Sequence, residues 1–286
     1  MPRSTPDKMA IQGYAGGMKY ALVNDQRKEA FPGGKGLCHH CGGDVIARCG
    51  SYRIHHWAHR GNRDCDSWAE KETEWHRAWK SNFPAECQEF IQHDGQSGER
   101  HIADVRTNYG LVIEFQHSHL DPQERAARER FYGNMIWVVD GTRLQRDFPR
   151  FLKGKDDLRQ TNAQGYFVLA FPEECFPTMW LDSSVPVIFD FRGVDEHALP
   201  DVWRDGLWCL LPGRAEGHAV VVGMSREQFV AIAPSRPQLL LVQDTMTAFT
   251  QYIREMRAAD AARQISQRFG GMPNRRVPGR GRYRRF

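Results

Sequence analysis

Alternating and periodic apolar positions cut the chain into elements. MKYALVND alternates apolar and polar residues as an edge strand does, and Pro32-Gly33-Gly34 breaks it. A helical pattern over 68–83 ends at Pro84. Three strand-like runs follow, at 87–92, 100–107 and 111–116, the last two joined by the tight Asn108-Tyr109-Gly110. Asp121-Pro122 supplies an N-cap and a first-turn proline for a second helix reaching about Tyr132. MIWVVD (135–140) is a continuous apolar run suited to a strand buried on both faces.

Helix, three strands, helix and strand in that order predict an α/β fold, a mixed sheet flanked by helices. Further runs, YFVLAF, PVIFDF, LWCLL and AVVVGM, predict a strand-rich extension with a short helix over 225–232. The pattern leaves open whether they lengthen the first sheet or form a second domain. Over 244–269, Met246, Phe249, Ile253 and Met256 recur at helical spacing, a stripe for packing on a core or a partner. The expected organisation is a module at 1–66, a core at 67–155, the extension at 156–243, an amphipathic helix at 244–270 and a disordered Arg/Gly tail at 271–286.

Composition narrows the class. With 286 residues, 41% hydrophobic and 26% charged, the chain can bury a core, which excludes wholesale disorder. Mean hydropathy is −0.61, and no apolar run approaches the roughly 20 residues of a membrane helix. MPRSTPDKMAIQGYAGG lacks the apolar segment of a secretory signal, so the expectation is a soluble, cytoplasmic protein without a membrane partner. The net charge of +4 is modest. It is concentrated in the tail, where Arg275, Arg276, Arg280, Arg282, Arg284 and Arg285 stand without an acid beside Tyr283 and Phe286. That mixture suits phosphate contacts and base stacking, or simply a solvated terminus.

Of the 7 cysteines, Cys38, Cys41, Cys49 and Cys65 cluster, while Cys87, Cys175 and Cys209 are scattered as reduced, buried small hydrophobes would be. Cys38-His39-His40-Cys41 followed by Gly42-Gly43 has the form of a metal knuckle. His59 and Cys65 make the natural second pair for a tetrahedral structural Zn²⁺, with His56 as an alternative to His59 and Cys49 left outside.

The second constellation is acidic. Glu72, His76 and Lys80 fall on one face of the expected first helix, as salt-bridging pairs on a solvated surface also would. Asp104 lies within the apolar HIADV, and Glu114 within LVIEFQ with Gln116 on its own face. A carboxylate in an apolar strand is costly unless paired or bound to a cation. Two on neighbouring strands suit Mg²⁺ or Mn²⁺, the usual means of activating water against a phosphodiester.

Asp104 with Glu114-Phe115-Gln116 resembles the D…(D/E)xK signature of the PD-(D/E)xK nuclease superfamily, with Gln where lysine is usual. The larger set, from CHHC and HHWAH through Glu72, His76 and Lys80 to Arg100, Asp104, IEFQHS, Arg128, Tyr132 and WVVD, resembles the CoiA-like competence proteins over about 18–140. The resemblance implies a nuclease-like core with an N-terminal zinc module, acting on DNA in uptake, recombination, repair or defence beside other proteins of those processes. It implies Asp104 and Glu114 as ligands of the divalent cation, Glu72 completing the shell, Gln116 orienting water or a phosphate oxygen, and His76 transferring a proton or contacting phosphate. Lys80, Arg100, Arg128 and Tyr132 would contact the substrate, and Lys80 could replace the motif lysine, since Gln supplies neither a base nor a positive charge. Two other functions fit the same residues: a non-catalytic DNA-binding accessory factor and a zinc-stabilised interaction module.

Overall fold

Asn24 and Asp25 both take positive φ (50° and 59°) and close a two-residue hairpin between β1 (Tyr20–Val23) and β2 (Gln26–Glu29). With β3 (Lys35–Leu37), β4 (Asp44–Arg48) and β5 (His56–His59) they form an antiparallel sheet in the order β2-β1-β3-β4-β5. The hairpin puts β2 outside β1, so the first strand, expected at an edge, is internal and pairs on both sides. Its small core is Met18, Ala21, Cys38, Val45 and Trp57. The structure is a computed structural model describing residues 17–51, 54–61, 65–95, 97–193 and 201–269. The expectations for the Arg/Gly tail lie outside the described residues.

The larger sheet has nine strands: β6 (Gln88–His93), β7 (Arg100–Arg106), β8 (Val112–Gln116), β9 (Met135–Asp140), β10 (Arg159–Gln160), β11 (Tyr166–Leu169), β12 (Val187–Asp190), β13 (Leu207–Leu210) and β14 (Ala219–Met224). Their order is β10-β11-β14-β13-β12-β9-β8-β7-β6. β9 runs parallel to β8 and to β12, and the other pairings are antiparallel. The question left open by the sequence pattern is thereby answered: the extension lengthens the first sheet through β12, whose apolar VIFD docks beside the equally apolar MIWVVD. The fold is a mixed α/β fold with a large mixed sheet.

Helices cover both faces of that sheet. α1 (Glu74–Lys80), α5 (Arg226–Ile232) and the start of α6 (Val242–Phe269) cover one, through Trp75, Trp79, Phe229, Phe249 and Ile253. α2 (Pro122–Tyr132) and α3 (Asp147–Gly154) cover the other, through Tyr132 and Phe151 against Trp137 and Phe189. α2 matches its expected start, with Asp121 accepting from the amides of Gln123 and Glu124. Pro149 masks α3 in the sequence, yet it lies in the first turn, where a missing N–H costs nothing. α4 (Val202–Asp205) is a single turn. The stripe on α6 makes core contacts only as far as Ile253; Met256 is exposed, as are the helix residues that follow it. No helix among the described residues is long and apolar enough to cross a membrane.

The first helix is shorter than expected. Thr73 caps it: its hydroxyl accepts from the His76 amide at 3.3 Å, and the Thr73 amide donates back to His76 Nδ1 at 3.4 Å. Residues 68–73 therefore precede the helix, and Glu72, expected on a helical face with His76 and Lys80, sits ahead of the cap.

A wholly buried carboxylate joins α1 to the extension. Asp190, at the end of β12, accepts from the indoles of Trp75 and Trp79 at 2.9 Å each, from the Arg192 amide at 3.1 Å, and from Arg226. Replacing it by alanine leaves a guanidinium and two indole N–H groups without their acceptor. Asp190→Ala should therefore lower the unfolding free energy by about 3–5 kcal/mol, read from urea midpoints. A midpoint equal to wild type would show that the clamp adds nothing to stability.

Candidate metal centre and acidic cleft

Gly42 at φ 70° lets the chain double back after Cys41, so the Cys38 amide donates to the Gly43 carbonyl and the Gly42 amide to the Cys38 carbonyl, each at 2.8 Å. The His40 and Gly43 amides then point at the sulfurs of Cys38 and Cys41, both at 3.4 Å. β5 delivers His59 and the following loop delivers Cys65. The ligand atoms of Cys38, Cys41, His59 and Cys65 all lie within 4.8 Å of one another, with Cys38 Sγ 3.7 Å from Cys65 Sγ and Cys41 Sγ 3.2 Å from His59 Nε2. Sulfurs bound tetrahedrally at about 2.3 Å would be about 3.8 Å apart, so the set fits a metal such as zinc. The Cys65 hydrogen bond draws the Cys38 thiol down to about 4 against opposing burial, while the same bond and burial push Cys65 up. His56 is turned away, its Nδ1 donating to the Ile54 carbonyl at 2.9 Å, and Cys49 lies outside the cluster.

This module is docked on the larger sheet through β6. Glu89, at φ 46°, accepts from the amides of Lys19 (2.6 Å) and Tyr20 (3.0 Å), while its own carbonyl accepts from His39 Nε2, inside the knuckle, at 3.2 Å. Arg27 donates to the carbonyls of Ala85 and Gln88.

A second site opens where the large sheet loses its ladder. β6 pairs with β7 on either side of Glu89 and Asp104, but that pair is skipped; β7 pairs with β8 at Val105 and Ile113, but the ladder stops before Asp104 and Glu114. Side chains take over: the Asp104 amide donates to Glu114 Oε1 at 3.1 Å, and the Phe115 amide donates to Asp104 Oδ2 at 3.0 Å. The resulting cleft of about 70 Å³ is lined by Glu70, Glu72, Glu89, Asp104 and Glu114, with Lys80, Arg128 and His76, and by Gly17 and Met18 of the small module.

Two cations here, Lys80 and Arg128, are fully engaged. Lys80, buried at the end of α1, lies 2.8 Å from Glu72, 3.4 Å from Glu89 and 3.7 Å from Asp104. Burial opposes its charge, but the three carboxylates outweigh that and raise its pKa. Arg128 reaches Glu114 at 3.4 Å, the Trp68 carbonyl at 2.8 Å and Glu124 at 2.5 Å. Burial, and then Asp104, push Glu114 well above the usual carboxylate range despite Arg128.

The predicted residues are thus partly gathered and partly reassigned. Glu72, Lys80, Asp104, Glu114, His76 and Arg128 line one cleft. Glu72 faces Arg77 at 2.8 and 3.1 Å as well as Lys80, and these partners hold its pKa down against burial. His76 accepts from Thr73 at Nδ1, so Nε2 donates to the Phe115 carbonyl at 2.7 Å; with burial lowering its pKa, it is a neutral latch between α1 and β8. Tyr132 packs against Trp68 and Phe131 beneath the cleft. Arg100 is exposed at the far end of β7, its carbonyl taken by His40 Nε2. Gln116 donates to Glu70 and, at 3.3 Å, to the carbonyl and hydroxyl of Ser118.

Besides Glu89, three further acids of this region escaped the sequence reading. Glu70 lines the cleft with Oε2 buried and without a hydrogen-bond partner. Asp66 accepts from His101 Nδ1 (2.7 Å) and the amides of Trp68 and Ile102, with Trp68 stacked on His101 at 3.2 Å, which holds the 65–73 segment on β7. Asp140 anchors His117 Nδ1 at 2.7 Å. For Glu70, the signal was present as Glu70-x-Glu72, two acids sharing a face only in an extended segment, but the helical reading concealed it.

The family model described as Competence protein CoiA, N-terminal domain, matches residues 24–67. That stretch spans β2 to Cys65 and so contains the whole Cys/His cluster, and the chain is CoiA-like there. No curated protein and no solved structure matches the chain.

The purified chain should carry one equivalent of zinc by elemental analysis, and Cys38→Ser or Cys65→Ser should lose it and unfold the small module, because structural sites of this type supply about 10–16 kcal/mol of apparent binding energy. Zinc retained in full by the Cys65 variant would remove that residue from the site. Acid should act elsewhere too. Burial tends to raise the Asp140 carboxyl, but the bonds from His117 and Thr142 outweigh it and lower the pKa. Its contribution to stability is therefore present above the unfolded value of about 3.9 and lost as pH falls through the lower folded value. Asp140→Asn should flatten the fall of the urea midpoint over that acid range.

Proposed function

We propose that the chain is a divalent-cation-dependent deoxyribonuclease of the PD-(D/E)xK type with a structural zinc module. The observation that carries this reading is the pair Asp104 and Glu114, facing one another where β7 and β8 part, with a buried lysine 3.7 Å from Asp104. Carboxylates so placed fit the hard-cation sites that hold Mg²⁺ or Mn²⁺ through one or two side chains and several waters. Such a cation would supply activated water and charge neutralisation at the phosphate. Asp104 and Glu114 would hold it, and Arg128 keeps Glu114 oriented. Lys80, carried on α1 in place of a motif lysine at 116, supplies the fixed positive charge beside Asp104. The match to a competence-protein domain supports a role in the handling of DNA during uptake.

A second reading, DNA binding without cleavage, draws on a different observation: His76 and Gln116 spend their hydrogen-bonding groups inside the protein.

Cleavage of labelled single- and double-stranded DNA by zinc-loaded full-length protein, with and without Mg²⁺ or Mn²⁺, separates the two. Asp104→Asn should cut at least about a hundredfold more slowly, the scale of a lost transition-state contact, while holding DNA as tightly as wild type. Lys80→Met should show a comparable loss. No cation-dependent cleavage of either DNA by the wild type would sink the nuclease reading and leave the binding one.

A further inference from the structure

The parallel strands β8 and β9 end side by side, at Gln116 and Asp140. Open α/β sheets commonly receive ligands outside the carboxyl ends of such strands. The chain leaving β9 is basic there, with Arg143, Arg146 and Arg150 over residues 143–150. Two carboxylates share the stretch, and neither balances them. Asp140 is buried and committed to the turn, accepting from His117 Nδ1 at 2.7 Å, from the Thr142 amide at 2.8 Å and from the Thr142 hydroxyl at 2.6 Å. Asp147 is buried too; its Oδ1 accepts no hydrogen bond, and Arg150 approaches it only to 3.8 Å. Burial raises the Asp147 pKa, and all three arginines lie close enough to oppose that rise, so they form one cluster in space. Arg143 and Arg146 have no ion-pair partner among the described residues.

We infer that Arg143, Arg146 and Arg150 form a docking surface for the phosphate backbone of DNA. This rests on DNA binding, which both readings above share, and not on a cation in the cleft. Guanidinium groups match phosphate oxygens two at a time, and a cluster left without counter-charge repels itself until a polyanion is bound. The Arg150 amide donates to the Arg146 carbonyl at 3.0 Å, so these two stand one turn apart on one side of α3. That turn rises ~6 Å, a length over which one DNA strand carries about two charges. A membrane fits the surface less well: none of the exposed large apolar side chains falls within residues 117–150, so nothing there would enter a bilayer.

The surface borders the acidic cleft through His117. Its Nδ1 is held by Asp140, and its ring centroid lies 6.0 Å from that of His76, which lines the cleft. The cleft is rich in carboxylates and does not draw a polyanion by itself. A backbone held at the arginines would lie beside it, contacted through charge alone and without regard to base sequence.

Fluorescence anisotropy of two labelled duplexes of unrelated sequence, titrated with zinc-loaded full-length protein across a salt series without Mg²⁺ or Mn²⁺, tests this without any cleavage. Zinc content and thermal midpoint certify the fold of each variant. Arg143→Gln/Arg146→Gln should lower the slope of log K against log salt by about 1.8, at ~0.9 per phosphate contact, and adding Arg150→Gln should lower it by about 0.9 more. Both duplexes should weaken equally. Arg143→Lys/Arg146→Lys keeps the charge and should keep the slope. Arg214→Gln/Arg236→Gln makes the same change of charge at the opposite end of the sheet and should leave the slope as in wild type. If the wild type binds DNA and Arg143→Gln/Arg146→Gln keeps its slope, or if the distant pair lowers the slope as much, this surface is overturned and DNA binding stands. If the wild type binds neither duplex, the inference falls together with both DNA readings. Loss of binding to phosphatidylserine vesicles in Arg143→Gln/Arg146→Gln, with the DNA slope unchanged, would assign the surface to a membrane instead.

Discussion

A buried ammonium is tolerated only where carboxylates surround it, and Lys80 imposes that condition on the whole N-terminal half of the protein. Its three partners come from three separate places: Glu72 from the segment before α1, Glu89 from β6 and Asp104 from β7. Satisfying one charge therefore fixes α1 against the sheet at its last turn, while the capping bonds of Thr73 and the His76 bond to β8 fix it at the first. The acids of the sheet lie side by side where the ladder is interrupted. Main-chain amides of Asp104 and Phe115 that would have met carbonyls meet carboxylates instead, so opening the sheet leaves none of them unpaired.

Glu89 extends this constraint to the small module. Its side chain binds the amides that begin β1, its carbonyl is bound by His39 between two thiol ligands, and its φ of 46° is unfavourable for a residue with a Cβ. The knuckle and the cleft thus share a residue, and Met18, which packs its sulfur 3.6 Å from Cys38 Sγ, also lines the cleft. A metal holding Cys38 in place would stiffen one wall of the acidic site as well as the fold of its own module.

Much of this was legible in the residues. Asp104 and Glu114 stood out because charges in apolar strands need a reason, and Asp121-Pro122 marked α2 because cap and proline are local chemistry. The knuckle showed itself for the same reason, since Cys-x-x-Cys-Gly-Gly carries its turn within its own sequence. What local chemistry does not decide was harder. Thr73 could extend a helix or cap it, and only the return bond from His76 makes it a cap, which moves Glu72 off the helical face and brings Glu70 to the cleft. Asp190 in PVIFDF reads as the polar end of a strand; its two indole partners lie more than a hundred residues away. The joining of β12 to β9 is likewise a non-local choice between two apolar surfaces of equal quality.

The two metal-ligand sets differ in what holds them together before any ion arrives. The thiols carry no obligatory charge that would drive them apart, so Cys38, Cys41, His59 and Cys65 converge with hydrogen bonds alone between them. Carboxylates repel, and the acids of the cleft are near one another only because fixed cations stand among them: Lys80 between Glu72, Glu89 and Asp104, and Arg128 beside Glu114. Those cations are spent on keeping the site assembled. With Asp66, Glu70, Glu72, Glu89, Asp104 and Glu114 facing Lys71, Lys80 and Arg128, the lining still carries more acid than base. Burial and Asp104 raise the pKa of Glu114, the direction that relieves part of that excess. A polyanion entering such a cleft meets like charge unless a cation stands between, so the arrangement that assembles the acids also makes any phosphate contact there dependent on a metal ion.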